Sequence, residues 1–365
     1  MTFKFHSLFD MLTKIFALFA LASVLAVASA DLSCMDRDGN PVPWFTFIKY
    51  PENKTYDGAR YAYLDPNLGS NYKIILGSHA DDEDEALPNT IAAINAIPEE
   101  SINLYVYNDE PPNEPWNPDG GHAKGFIAFD NATQTGVYVM HSFPKFPNVT
   151  DTGYIQYIFP KNTYMYGQNG YCLSLDRGSL DHLIDNLPVE APNVYYASGL
   201  FQNLQPNATD PHKIAQFNSL NGEAYWYLTK NPNYPGFLYD DIMAPYFQAS
   251  LAVESWGRPY QDALCPPNSP YAALNIDQIA FNSEDTWDHY SDHSKWAITV
   301  GNAGLNLACL CDMNRMATQE VRGGSCLCST NANLYNALKS IVVLTDKCSS
   351  DNKINSFRGP VTIGI

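Results

Sequence analysis

Two short stretches carry the residues best suited to chemistry. Gly121-His122-Ala123-Lys124-Gly125 runs straight into the apolar Phe126-Ile127-Ala128-Phe129, and Asp292-His293-Ser294-Lys295-Trp296 runs into Ala297-Ile298-Thr299-Val300. Each is His-x-Lys followed at once by a short strand signal. In an extended strand residues i and i+2 point to the same side, so each His is expected to project with its Lys. Two imidazoles and two ammonium groups meeting in one cleft suit phosphodiester cleavage without a metal. A neutral His attacks phosphorus and a protonated one donates to the leaving oxygen, while the lysines balance charge on the non-bridging oxygens. Imidazole titrates at about 6.5, so an acidic medium readily supplies the protonated member. His141, in His141-Ser142-Phe143-Pro144, follows the first His by 19 residues, and Asp312-Met313-Asn314-Arg315 follows the second at a similar distance. A lone His-x-Lys arises often by chance; its repetition in matching contexts is what carries weight. His79, His182, His212 and His289 read as structural or surface residues. The chain has no G-x-S-x-G elbow, H-E-x-x-H motif, P-loop or G-x-G-x-x-G.

The surrounding pattern mixes strands and helices, so the fold class is α/β, or α+β mixed. Ile102, Leu104 and Val106 alternate as a strand that ends at Asn108-Asp109-Glu110-Pro111-Pro112. Phe126 to Phe129 and Val137 to Met140 flank a polar segment and predict a hairpin. Ser179 is placed to cap a helix carrying Leu180, Leu183, Ile184 and Leu187, and Leu334 to Val343 predicts another. Asp81 to Glu85 reads as a solvated loop, because it lacks the spaced ligands and glycine of a calcium loop. No Gly-, Ser- or Pro-rich linker divides the 365 residues, which fits one large fold built from two halves.

At 45% apolar and 16% charged residues, the chain can bury a large core, which excludes intrinsic disorder. Its 39 acidic against 21 basic residues argue against a broad basic face for a polyanion, leaving only a confined groove. Lys4 and Lys14 precede an apolar run, Ile15 to Val27, and Ala28-Ser29-Ala30, the pattern of a cleaved secretory leader over residues 1–30. Removing Lys4, Lys14 and Asp10 with it leaves 19 basic and 38 acidic residues, or −19. No later run reaches the roughly 20 apolar residues of a membrane span. Sequons at Asn53, Asn131, Asn148 and Asn207 suit export. All eight cysteines lie beyond the leader, an even number that favours disulfides over a zinc site in an oxidising compartment. Spacing alone leaves on the order of a hundred pairings open.

Taken together, the local sequences resemble the deoxyribonuclease II family of acid endonucleases, related to the phospholipase D superfamily. The resemblance runs over nearly the whole chain after the leader. It rests on Cys34 to Phe45, Tyr107 to Pro112, Gly121 to Gly125, His141 to Pro147, Tyr166-Gly167-Gln168, Asp292 to Trp296, Asp312 to Arg315 and Arg322-Gly323-Gly324. It implies a phospholipase D-like fold of residues 31–365 in two pseudo-symmetric halves, about 31–195 and 196–365. Each half would hold a mixed β-sheet flanked by helices, the two forming one central cleft. It implies cofactor-free hydrolysis of DNA at acid pH to 3′-phosphate and 5′-hydroxyl ends, in lysosomes or secreted fluid, by a monomer or homodimer. The implied catalytic residues are His122, Lys124, His141, His293 and Lys295, with attack assigned to His122 by analogy. Asn314 is a candidate phosphate ligand from the correspondence between halves. The implied bridges are Cys34–Cys172, Cys265–Cys348 and Cys309–Cys328; Cys311 and Cys326 are additional and suggest a nested fourth. One departure concerns the superfamily's Asp, since Asp130 falls one residue late after Lys124 and no acid follows Lys295 at that spacing. A phosphodiesterase for another diester and an inactive nucleic-acid-binding glycoprotein stand as alternatives.

Overall fold

The computed structural model describes residues 30–53, 57–75, 85–206, 209–258, 261–301 and 304–348. The leader, Asn207 and the acidic run before Glu85 lie outside them. Within the described residues, Leu32 onward belongs to one compact unit holding two large sheets.

The first sheet uses β1 (Trp44–Lys49), β2 (Tyr61–Leu64), β3 (Lys73–Ile75), β4 (Ile102–Asn108), β5 (Lys124–Asp130), β6 (Thr135–His141), β7 (Gln168–Asp176) and β8 (Val194–Ala197). They lie in the order β8-β4-β5-β6-β7-β1-β2-β3. Every pair in it is antiparallel, a correction to the expected mixed sheet. The second sheet uses β9 (His212–Asn218), β10 (Ala224–Lys230), β11 (Ser250–Glu254), β12 (Ala273–Ala280), β13 (Thr286–Asp288), β14 (Trp296–Val300), β15 (Ala308–Cys311), β16 (Gly324–Ser329) and β17 (Val342–Thr345). Their order is β9-β10-β16-β15-β14-β11-β12-β13, with β17 also on β12. Only β11 and β12 run parallel here, joined by a long excursion rather than a hairpin.

Alternation along the strands sorts the core. Leu104, Val106, Phe126, Ala128, Val137 and Val139 face an outer cluster with α1 (Ala86–Asn95). Their neighbours Tyr105, Tyr107, Ile127, Phe129, Tyr138 and Met140 face an inner cluster shared with the second sheet, α2 (Arg177–Asn186) and α3 (Ala332–Ile341). The strand at Ile102 to Asn108 is therefore buried on both faces. Between the sheets the tyrosines meet: Tyr107 and Tyr138 hydroxyls pair at 3.0 Å, and Tyr227 donates to Glu190 Oε1 at 3.0 Å.

The helix expectations shift slightly. Asp176, not Ser179, caps α2, its carboxylate accepting the Ser179 N–H at 2.8 Å; Ser179 stands two positions inside and donates its hydroxyl to the same oxygen. The last helix stops at Ile341, because Val342 to Thr345 are drawn into sheet pairing with β12. Residues 131–134 turn the β5–β6 hairpin and leave Asn131 exposed. Asn53 is exposed too, whereas Asn148 is half-buried and accepts from Asn113 at 3.3 Å while donating to Gln156. The structure pairs Cys34–Cys172, Cys265–Cys348, Cys309–Cys328 and Cys311–Cys326, the last two between directly opposed residues of β15 and β16.

Candidate active site

Neither histidine of the two motifs lies in a strand. β5 begins at Lys124 and β14 begins after Lys295, at Trp296, so strand alternation does not orient the imidazoles. Contacts to the opposite sheet do it instead. The His122 N–H donates to Gly323 O at 2.7 Å and the His293 N–H donates to Gly167 O at 2.7 Å. Gly323 and Gly167 immediately precede β16 and the first residue of β7, so each motif is stitched to the corresponding edge of the other sheet. Glycine is required at these seams: a Cβ on Gly323 would stand 2.0 Å from Glu190 O, and one on Gly167 would stand 2.6 Å from Asp292 Oδ1.

Lys124 is buried and paired with the Asp109 carboxylate. The other carboxylate oxygen of Asp109 accepts from Arg322 Nη2 at 3.0 Å, and Arg322 also donates to Gly120 O and Gly121 O at 2.6 and 3.0 Å. Burial pushes the Asp109 carboxyl up, but the charges of Lys124, His122 and Arg322 outweigh it and hold it well below the usual carboxylate range. Asp109 and Arg322 thus form a clamp on Lys124. Their motifs stand in the sequence, yet nothing local marks them as partners across 213 residues. Lys124 therefore finds its carboxylate in Asp109, 15 residues before it in the chain. Asp130 sits at the far end of β5 and caps the hairpin by accepting from Ser101, Ala132 and Thr133.

The His122 ring pairs through Nδ1 with the Asp312 carbonyl at 2.7 Å. A carbonyl only accepts, so Nδ1 carries the proton and Nε2 keeps its lone pair. Burial and then the Lys124 charge depress this imidazole well below its ordinary value. His293 stacks on Tyr166 at 4.1 Å and against Trp256 at 5.0 Å. Burial, followed by the Lys295 charge, takes its pKa down to about 2. Lys295 Nζ donates to His293 O at 2.5 Å, and Asn169 on β7 accepts the Lys295 N–H at 3.1 Å. Burial and the neighbouring Lys124 bring Lys295 down to about 7. Each imidazole feels both lysine charges, so the two motifs converge on one cluster.

The remaining candidates are placed less directly. His141 ends β6 beside Lys124 but is buried between Phe143 and Phe146, its Nδ1 accepting the Phe143 N–H at 3.2 Å. Burial, then Lys124, lowers it to about 3. In register its counterpart in the second sheet is Cys311, so the halves differ here. Asn314 is buried next to Arg315, which is anchored on Asp240 at 2.9 and 3.0 Å. Its Oδ1 has no hydrogen-bond partner among the described residues. Among the described residues no group of three or more His, Cys, Asp or Glu is arranged to hold a metal ion.

A pinned neutral imidazole, a second neutral imidazole and two buried ammonium groups can handle a phosphodiester. The family model for deoxyribonuclease II matches residues 33–348. The chain is 27% identical to Cell death-related nuclease 6 of Caenorhabditis elegans over 90% of this chain and 93% of that one. It is 26% identical to human Deoxyribonuclease-2-beta over 91% and 96%, and 28% identical to rat Deoxyribonuclease-2-alpha over 90% and 98%. Matched along nearly all of its described length, the chain belongs to the deoxyribonuclease II family.

Proposed function

We propose that this protein is a metal-independent acid endodeoxyribonuclease that leaves 3′-phosphate and 5′-hydroxyl ends. The observation that carries this reading is the convergence of His122, Lys124, His293 and Lys295 from two sheets. Nε2 of His122 attacks phosphorus, and the bond to the 5′ oxygen breaks. His293, protonated, delivers its proton to that oxygen, leaving the 3′-phosphoryl group on His122. Water then attacks the phosphohistidine, gives a proton to His293 and releases the 3′-phosphate. Lys124 and Lys295 neutralise the non-bridging oxygens, with Asn314 a further ligand and His141 supporting Lys124. In the free site both imidazoles are driven to the neutral form. The acid requirement then follows: proton and anionic substrate must arrive together, the phosphate charge restoring the basicity of His293.

The two sheets correspond in this reading to pseudo-symmetric halves, about residues 31–195 and 196–365, of a phospholipase D-like fold. Both motifs lie in one chain, so a monomer suffices. Export through the leader to lysosomes or secreted fluid, and the destruction of DNA from dying or engulfed cells, fit the bridges and the names of the relatives. The test is plasmid cleavage at pH 5 in excess EDTA. Wild type is expected to nick and linearise DNA, and His293→Ala to be slower by about 10³-fold, the scale of general acid catalysis. Cleavage that EDTA abolishes, or a fully active His293→Ala, would overturn the reading.

A further inference from the structure

Beside His293 lies a surface that the chemistry at phosphorus does not consume. Trp256, two residues past β11, packs its ring 5.0 Å from the His293 ring. Arg258 sits 5.8 Å over Trp256 and 5.4 Å over Tyr290, its Nη2 donating to Tyr290 O at 3.3 Å. Tyr290 precedes the second motif by two residues and is 46% exposed, and Arg258 is exposed as well. Single exposed aromatic residues are ordinary. Here two aromatic rings and a guanidinium are held together at the lip of the site, in a chain where acidic residues outnumber basic ones 39 to 21. A cation kept there suits an anion, and an aromatic ring kept there suits another flat ring.

We propose that Trp256, Arg258 and Tyr290 form a subsite for the nucleobase of a nucleotide adjoining the scissile phosphate, Arg258 meeting the next phosphate. The proposal rests on the nuclease reading above and names the form of DNA it takes. Aromatic rings accept any base face, and cations track the backbone, so such a site is tolerant of sequence. In an intact duplex those faces are covered by neighbouring bases. The subsite is therefore filled by single-stranded, frayed or extruded nucleotides. The Trp256 indole N–H is buried with no acceptor among the described residues.

The experiment uses end-labelled single-stranded oligonucleotides at pH 5, identical except for one tetrahydrofuran abasic residue. Cleavage rates at linkages beside the abasic residue are compared with the same linkages in the intact strand. Wild type is expected to cut the intact linkage about tenfold faster or more, the scale of one base-stacking contact. That ratio should fall to near one in Tyr290→Ala and be kept in Tyr290→Phe, which retains the ring. Arg258→Gln, an exposed change, should lower the ratio as well and reads the subsite independently if Tyr290→Ala does not fold. A wild-type ratio near one, or a ratio unchanged in the variants, overturns the subsite while leaving a nuclease. Failure of folded wild type to cut any linkage overturns the nuclease reading and the subsite with it.

Discussion

Lys124 shows how one side chain of the site depends on groups far from it in sequence. Its ammonium is buried and answered by Asp109, which is itself answered by Arg322. The Asp109 charge is also among the influences that favour a protonated His122. Replacing it with a neutral amide makes protonation of that ring harder, so the neutral nucleophile persists to lower pH. Asp109→Asn is expected to lower kcat about tenfold or more, because the buried Lys124 loses its partner, and to move the acid limb of the pH–kcat profile down by ~1 unit. A profile displaced toward higher pH would show that the carboxylate acts otherwise. His122 is similarly dependent: its useful nitrogen is free because the other is held by a main-chain carbonyl, at Asp312, a contact that side-chain chemistry alone does not announce.

At the level of elements, each sheet presents its motif and the other sheet aims it. β7 offers Asn169 and the preceding Gly167 to the second motif; β16 is preceded by Gly323, which serves the first. β7 is itself held by the Cys34–Cys172 bridge, which ties it to the chain ahead of β1 across 138 residues. In the chain-entropy account, a loop that long contributes about 5 kcal/mol. Cys34→Ala with Cys172→Ala is expected to lower the thermal midpoint by about 7 °C, since 1 kcal/mol moves a domain of this size by about 1.5 °C. A midpoint within a few degrees of wild type in calorimetry would remove the bridge from the supports of the site. The nested Cys309–Cys328 and Cys311–Cys326 bridges close far shorter loops, of 19 and 15 residues, and act on β15 and β16 alone.

Across the whole molecule, buried acids set the conditions under which the fold is comfortable. Burial raises Glu190 well above the carboxylate range, and burial likewise brings Asp312 up to about 6. Both sit at the junction of the sheets, where Ser325 donates to Asp312 at 2.6 Å. For an acid raised in the folded state, the stabilisation is complete below its ordinary pKa of 3.8 and is lost as the pH climbs through about 6. The depressed imidazoles of His122, His141 and His293 work the other way, so the Asp312 contribution is read as a difference: the midpoint of Asp312→Asn relative to wild type is expected to rise from pH 4 to pH 7. A difference that does not change with pH would place the titration elsewhere. A surplus of surface carboxylates works in the same direction as Asp312, since protonation relieves their mutual repulsion. An acidic medium suits the chemistry proposed for the site.

The two His-x-Lys motifs, the strands behind them and a disulfide-bearing character were legible from residue types and short spacings, because these depend on local periodicity and composition. Tyr107 and Tyr138 were not legible as an inner face: alternation marks two faces but not which ones are covered. The cap of α2 and the end of α3 moved because a carboxylate at Asp176 and sheet pairing at Val342 outcompete the helical pattern. The directions of His122 and His293 lie beyond sequence altogether. They follow from hydrogen bonds to Gly323 and Gly167, formed only when two separate sheets meet. Neutral imidazoles beside buried lysines have the same origin, since desolvation and long-range charge exist only in the assembled fold.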